Sequence, residues 1–199
     1  CMQEILTGEA HVNDAEIIHQ ARQGDETAWR ALVHEHQTAI FRLAYLLLGD
    51  ADAAEDVAQE TFVRAYRYLD RFDSTRPLRP WLLQITRHQA ANQRRSARRY
   101  LAALGRWWQV TASATHGDAA MALEPVTDAD LLWQAVRALS TSDQEVIYLR
   151  HFLALSVNET AVALDIAEGT VKSRLARALT RLRAVIEQEY PSLREEVRL

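Results

Sequence analysis

Between Thr170 and Arg183 the chain carries five basic residues and no acid. If this stretch is helical, Thr170, Ser173, Arg177 and Arg181 fall on one face, flanked by Lys172, Arg174 and Arg183. Guanidinium and ammonium groups pair with phosphates. Arginine and hydroxyl side chains on the same face can also hydrogen-bond base edges in the major groove. The alternative is an ordinary helical hairpin with a solvated charged face.

The residues around this face decide how it would be held. In SVNETAVALDIAEGTVKSRLARALTRLR, Ser156 and Glu159 have the spacing of a capping box that opens a first short helix. Ala161 and Leu164 give that helix a small apolar face. Ile166-Ala167-Glu168-Gly169 reads as the break, with Gly169 supplying the backbone freedom and Thr170 the cap of a second helix. Val171, Leu175, Ala178, Leu179 and Leu182 recur at helical spacing opposite the basic residues. A short helix, a tight turn and a basic second helix together describe a helix-turn-helix.

Composition bounds the rest. Of 199 residues, 48% are apolar, while Gly (6) and Pro (4) are scarce, so a mostly helical chain with a real core is expected. No run approaches the roughly 18 apolar residues of a membrane span, and no basic-then-apolar leader is visible. Cys1, the only cysteine, precedes Met2, read as the natural start. No internal disulfide or cysteine metal cluster can form, and a cytoplasmic location is expected. The net charge of −4 opposes nucleic-acid binding only on average. Residues 76–110 carry eight arginines and no acid, against 14 acids and six bases in residues 1–75. Local potential, not net charge, steers a polyanion.

Read in order, a short helix to Gln23 precedes a longer one from Asp25 to Leu48, closed by Gly49. His34-Glu35-His36 lacks the i,i+4 spacing of a helical zinc pair, so no metal is expected. The next helix, DADAAEDVAQETFVRAYRYLDRF, is taken to open at Asp52. It buries Ala54, Val57, Ala58, Phe62, Ala65 and Leu69 and turns Asp56, Gln59, Glu60 and Arg64 elsewhere. Asp73 to Pro80 is a loop, with Pro80 suited to the first turn of the following helix. That helix, WLLQITRHQAANQRRSARRY, starts apolar and becomes basic through Arg87, Arg94, Arg95, Arg98 and Arg99. Aromatic and basic residues beside a loop suit single-stranded nucleic acid. The bland alternative places Trp81 in the core and the arginines in solvent. Residues 101–127 read as a linker holding Trp107-Trp108. Periodicity returns at Asp128, and Ser142 with Glu145 has the spacing of a second capping box.

No P-loop, dinucleotide fingerprint, nucleophile elbow or zinc-protease motif occurs, so neither an enzyme nor a bound cofactor is expected. Two non-enzymatic rivals remain: a regulator that binds operator DNA by itself, and an adaptor without DNA function. The acidic front half opposes the first, and the basic helix opposes the second.

AEDVAQETFVRAYRYL, then a loop and WLLQITRHQAANQRR, then GTVKSRLARALTRLR, taken in this order and spacing, resembles bacterial RNA polymerase sigma factors of the extracytoplasmic-function (ECF) group. The resemblance implies an all-α fold of two small helical domains joined by a flexible linker. Residues 14–100 would form a promoter-melting domain, 101–127 the linker, and 128–187 the helix-turn-helix domain. It implies a transcription initiation factor whose partners are core polymerase, promoter DNA and an anti-sigma factor. By its motifs, Asp56, Gln59, Glu60 and Phe62 fall on positions that bind the clamp of the largest subunit. The loop from Asp70 to Leu78 matches the loop that captures a flipped base. Arg76, Arg79, Trp81, Arg87, His88, Asn92 and Arg95 are the candidates for minus-ten contact. The family more often has Asn at the place of His88 and Asp at that of Asn92, which bears on the sequence read. Thr170, Lys172, Ser173, Arg174, Arg177 and Arg181 match the helix that reads the minus-thirty-five element. Ser173 and Arg177 are assigned to base edges, and Lys172, Arg174 and Arg181 to phosphates. The second domain would also sit on the flap of the second-largest subunit.

Overall fold

The structure is a computed structural model that describes residues 15–111 and 128–190, with side chains from 15–99 and 131–190. Cys1 and the side chains of Trp107 and Trp108 lie outside the described residues. Every regular element among the described residues is helical. In chain order they are α1 (15–22), α2 (Glu26–Leu48), α3 (Ala51–Tyr68), a 3-10 turn (Leu69–Arg71), α4 (Leu78–Thr111), α5 (Asp128–Arg137), α6 (Thr141–Ile147), a widened π-type turn (Tyr148–Phe152), α7 (Val157–Leu164) and α8 (Glu168–Glu189).

Local chemistry explains most boundaries. The Asp25 carboxylate accepts from the amides of Thr27 and Ala28 and starts α2. Gly49 ends α2 at φ 73°, a left-handed conformation that L side chains rarely adopt. A Cβ there would meet the Arg137 guanidinium at 2.7 Å, but that is the free end of a flexible side chain, so it is the left-handed turn that calls for glycine. Asp50, rather than Asp52, caps α3 through the Ala53 amide at 2.7 Å. Helix α4 begins at Leu78, with Pro80 in its first turn, and runs to Thr111, into the span read as linker.

Three further local expectations are corrected. The second capping box is not formed by Ser142 and Glu145: Ser140 is the N-cap of α6 and accepts from the Asp143 amide. The turn between α7 and α8 is not made by Gly169. Asp165 takes the left-handed conformation at φ 57°, which aspartate tolerates better than most residues, and Gly169 lies inside α8. Helix α8 starts at Glu168, before Thr170, and Ala167 at its N-cap makes no side-chain hydrogen bond.

Among the described residues there are two main apolar cores and a small third cluster in which Ala135 of α5 meets Ile186 of α8. One joins α1, α2, α3 and the start of α4 through Ile18, Leu32, Ile40, Ala65, Leu69, Phe72, Leu78 and Leu82. The Arg22 guanidinium closes it by donating to the carbonyls of Leu69 and Phe72. The larger core crosses between the two halves of the chain. Leu43, Leu47, Ala54, Val57, Leu83 and Ala90 pack in one cluster with Val136, Val146, Leu149, Leu155, Leu164 and Val171. Burying the leucines and valines among them stabilises by about 1.5–3 kcal/mol each. The two domains therefore share a core along one seam instead of standing apart.

Candidate nucleic-acid interface

The basic helix is held by its partners in the second domain. Both halves of the Ser156–Glu159 capping box form: Ser156 Oγ accepts from the Glu159 amide at 3.1 Å, and the Glu159 carboxylate accepts from the Ser156 amide at 2.7 Å. This starts α7, and Asn158 Nδ2, donating to the Glu168 carboxylate at 3.1 Å, ties it to α8. The α8 residues Val171 and Ala178 are fully buried, so the opposite face points outward. Lys172, Ser173, Arg177, Arg181 and Arg183 are exposed there, with Thr170 and Arg174 half-buried. Arg177 Nε donates to the Ser173 carbonyl one turn earlier. Arg181 is already engaged, its Nη1 lying 2.7 Å from the buried Asp143 carboxylate. That acid faces α8 from α6 and was not among the residues singled out from sequence.

The seven residues grouped on the loop and α4 do not share one surface. Asp73 organises the loop: its carboxylate accepts from the Thr75 hydroxyl at 2.7 Å and the Thr75 amide at 3.0 Å, and it pairs with Arg76 at 3.5 Å. The Thr75 hydrogen bonds hold the Asp73 carboxyl below the usual carboxylate value. Trp81 is partly buried against Phe72, their ring centroids 4.7 Å apart. Four residues face the seam with the second domain. Arg79 donates to the Leu153 carbonyl at 2.9 Å. Arg87 donates to the Leu164 carbonyl and stands 3.6 Å from the Glu145 carboxylate. Arg76 and Gln84 share a groove with Asn158, Asp165 and Glu168. Burial and the neighbouring Arg87 depress the pKa of His88, partly offset by Asp165. Asn92 and Arg95, bonded to each other at 2.6 Å, are exposed. Asn92 faces another groove, with Asp56 and Glu60.

The front face of α2 and α3 forms a third surface. Gln59 and Asp56 are exposed, and Glu60 is paired with Arg64 at 2.7 Å. Phe62 is half-buried and lines an apolar groove with Val33, Phe41 and Ala58. Its ring meets Trp29 edge-on, and Tyr66 continues the aromatic strip. Among the described residues, no three His, Cys, Asp or Glu side chains gather as a metal site would need, and no helix is long and apolar enough to cross a membrane.

Residues 32–100 match the Sigma-70 region 2 family and residues 129–182 the Sigma-70 region 4 family. The ECF RNA polymerase sigma factor SigL of Mycobacterium tuberculosis is 36% identical over 171 residues, covering 84% of this chain and 94% of the relative. The chain belongs to the ECF sigma factors. SigW of Bacillus subtilis, another ECF RNA polymerase sigma factor, is 32% identical over 83% of this sigma factor and 92% of its own length. Two solved structures share the fold. CnrH in complex with the cytosolic domain of CnrY aligns at TM-score 0.66 and 27% identity, covering 88% of this chain and 98% of that one. The sigma factor RpoE in complex with the anti-sigma factor NepR from Bartonella quintana aligns at 0.58 and 26%, covering 80% and 97%. The function follows from the family: this ECF sigma factor is a transcription initiation factor that directs RNA polymerase to promoters.

Two features of the sigma factor were missed from sequence, both acids that answer its own arginines. Glu145 is buried, and burial pushes its carboxyl above the usual carboxylate value despite the attraction of Arg87, Arg94 and Arg174. Asp143 sits two residues earlier on α6. From the sequence Glu145 was read only as half of a capping box with Ser142, and Asp143 was not singled out.

Proposed function

We propose that this sigma factor acts in the cytoplasm by presenting two DNA-reading surfaces on core polymerase. Helix α8 enters the major groove of the minus-thirty-five element. Ser173 and Arg177 read base edges there, Lys172, Arg174 and Arg181 pair with phosphates and set register, and Thr170 lies on the same reading helix. The loop with Arg76 and Arg79 captures a flipped base of the melted minus-ten strand, and Trp81, Arg87, His88, Asn92 and Arg95 extend that contact along α4. Asp56, Gln59, Glu60 and Phe62 dock on the clamp of the largest subunit, where the apolar groove at Phe62 carries Glu55 and Gln59 at its edge and suits a partner of complementary charge. The second domain also rests on the flap of the second-largest subunit. In this reading 14–100 is the melting domain, 101–127 the linker and 128–187 the minus-thirty-five domain.

The observation that carries the reading is the face of α8. Lys172, Arg177, Arg181 and Arg183 stand outward, with Arg174 half-buried beside them, on a helix whose opposite side buries Val171 and Ala178 and half-buries Leu175, Leu179 and Leu182. The chain performs no chemistry of its own. Contacts available only in the open complex shift the promoter toward the melted state. An anti-sigma partner is part of the proposal, supported by the likeness to RpoE held by NepR.

Permanganate footprinting tests the division of labour. Holoenzyme on a responsive promoter should expose minus-ten thymines, and Arg76→Ala with Arg79→Ala should diminish that signal while minus-thirty-five protection persists. Full melting by the double variant would remove the loop assignment.

A further inference from the structure

Helix α8 opens on an acid. Glu168, its first residue, is exposed. The helix dipole favours a carboxylate in that turn. It does not explain why a second helix holds the carboxylate. Asn158, the second residue of α7 and itself exposed, donates from Nδ2 to Glu168 Oε1 at 3.1 Å. The bond occupies one oxygen and leaves Oε2 as an acceptor for another donor. The neighbouring residue supplies a separate observation. Gly169 lies inside α8 without a positive φ, and a Cβ there would meet nothing within 4 Å. Neither conformation nor packing calls for glycine, which weakens a helix relative to alanine. Gly169, Ser173 and Arg177 recur every four residues and so form one row along the outward face. The bare backbone at the head of that row suits the close approach of a ligand.

We infer that Glu168 is a specificity-determining residue of the minus-thirty-five contact, accepting a hydrogen bond from the amino group of a cytosine, and that Asn158 positions it. This rests on the reading of α8 as the minus-thirty-five helix and adds a base that its cations do not select. In a helix laid in the major groove, the N-terminal residues are the ones that reach base edges. A carboxylate only accepts. Cytosine presents its N4 amino group in that groove, whereas guanine presents N7 and O6 and thymine presents O4 beside a methyl group. Those oxygens and that ring nitrogen repel a carboxylate, so the acid selects by rejection as well as by attraction. Adenine, with N6 beside N7, stands between. Arginine and lysine only donate, and they favour guanine. Lys172, one turn on from Glu168, offsets the repulsion between the carboxylate and the phosphates. Glu168 also edges the groove shared by Arg76 and Gln84. A role confined to that groove would not depend on promoter sequence.

The test is run-off transcription by holoenzyme on a responsive promoter whose minus-thirty-five element carries each of the four base pairs at every position in turn. Wild type should prefer cytosine over guanine and thymine at one base pair by roughly 5- to 100-fold. Glu168→Gln should move that preference toward adenine, the partner of a side-chain amide, and Glu168→Ala should flatten it. Asn158→Ala should reduce the same preference by about 2- to 10-fold, as loss of one hydrogen bond would, and leave every other position unchanged. Thermal melts of the free variants check that the helices are kept. Preferences are ratios within each variant, so a general loss of activity does not imitate the effect. Equal loss on all templates by both Glu168 variants would overturn the inference, as would a wild-type cytosine preference that survives them. Arg177→Ala separates the two levels of the reading. If it alters one position and the Glu168 variants alter none, the assignment of Glu168 alone is wrong. If neither changes any base preference, the reading of α8 itself is at fault.

Discussion

Arg181 Nη1 lies 2.7 Å from Asp143 Oδ2, an ion pair that joins the outer face of α8 to the buried start of α6. Asp143 is 2% exposed and also accepts from the Ser140 hydroxyl at 2.8 Å. One carboxylate thus fixes the cap of α6 and the position of the basic helix relative to it. Asp143→Ala leaves the Ser140 hydroxyl and the Arg181 guanidinium without that acceptor. Stability should fall by about 1.5–3 kcal/mol, the range for hydrogen bonds to charged groups. Urea unfolding should show a lower midpoint with an unchanged slope.

Arg177 and Lys172 are both exposed on α8, and their proposed roles separate cleanly. Arg177→Ala should cost about 1–3 kcal/mol of promoter use and do so at one minus-thirty-five position. Lys172→Ala should weaken all promoters alike and lower the salt slope of binding by about 1. Transcription across a panel of minus-thirty-five variants distinguishes them. Equal activity of Arg177→Ala on every variant would take the base contact away from that residue.

On the front face, Gln59→Ala combined with Glu60→Ala should reduce affinity for core polymerase by roughly 1–2 kcal/mol, as expected for contacts near an interface centre. Thermal stability should hardly change, because the Glu60–Arg64 pair is a surface pair of small worth. Competition for core against a labelled reference sigma factor measures the loss. Undiminished competition would place the clamp contact elsewhere.

Glu145 makes stability depend on pH in a defined direction. Its carboxyl is raised above 4.5 in the folded chain, chiefly by burial. Between 4.5 and the raised value, the folded state binds more protons than the unfolded state. The stability this proton linkage contributes is fully present below the unfolded value and lost as pH rises through the folded one. The variant Glu145→Gln cannot titrate there. Wild type should therefore lose stability relative to Glu145→Gln as the pH is raised from 4.5. Paired thermal melts across that range read the difference, and a constant gap would mean Glu145 titrates normally.

What could be read from the sequence was local. Asp25 and Gly49 bracket α2 through side-chain and backbone chemistry confined to a few residues, and the Ser156–Glu159 box closes over one turn. The outward basic face of α8 followed from periodicity. The αL turn at Asp165 was missed because a nearby glycine is the commoner solution, although aspartate too tolerates that conformation. Ser140 displaced Ser142 as the cap because α6 begins earlier than its spacing suggested. The seam was not legible at all. Arg87 and Glu145 lie on different helices of different domains, and each alone looks like a solvated charge. The splitting of the α4 candidates between the seam and the groove beside Asp56 likewise depends on how helices pack, which composition does not encode.

Run-off transcription tests the central claim most directly. Purified bacterial core polymerase would be assayed with and without this protein on pooled promoter fragments. The account predicts transcripts with defined starts only when the protein is present, their upstream sequences aligning into two shared elements. Transcripts that are the same with and without it, together with no binding to core, would contradict the account. They would leave a helix-turn-helix protein that acts on DNA alone.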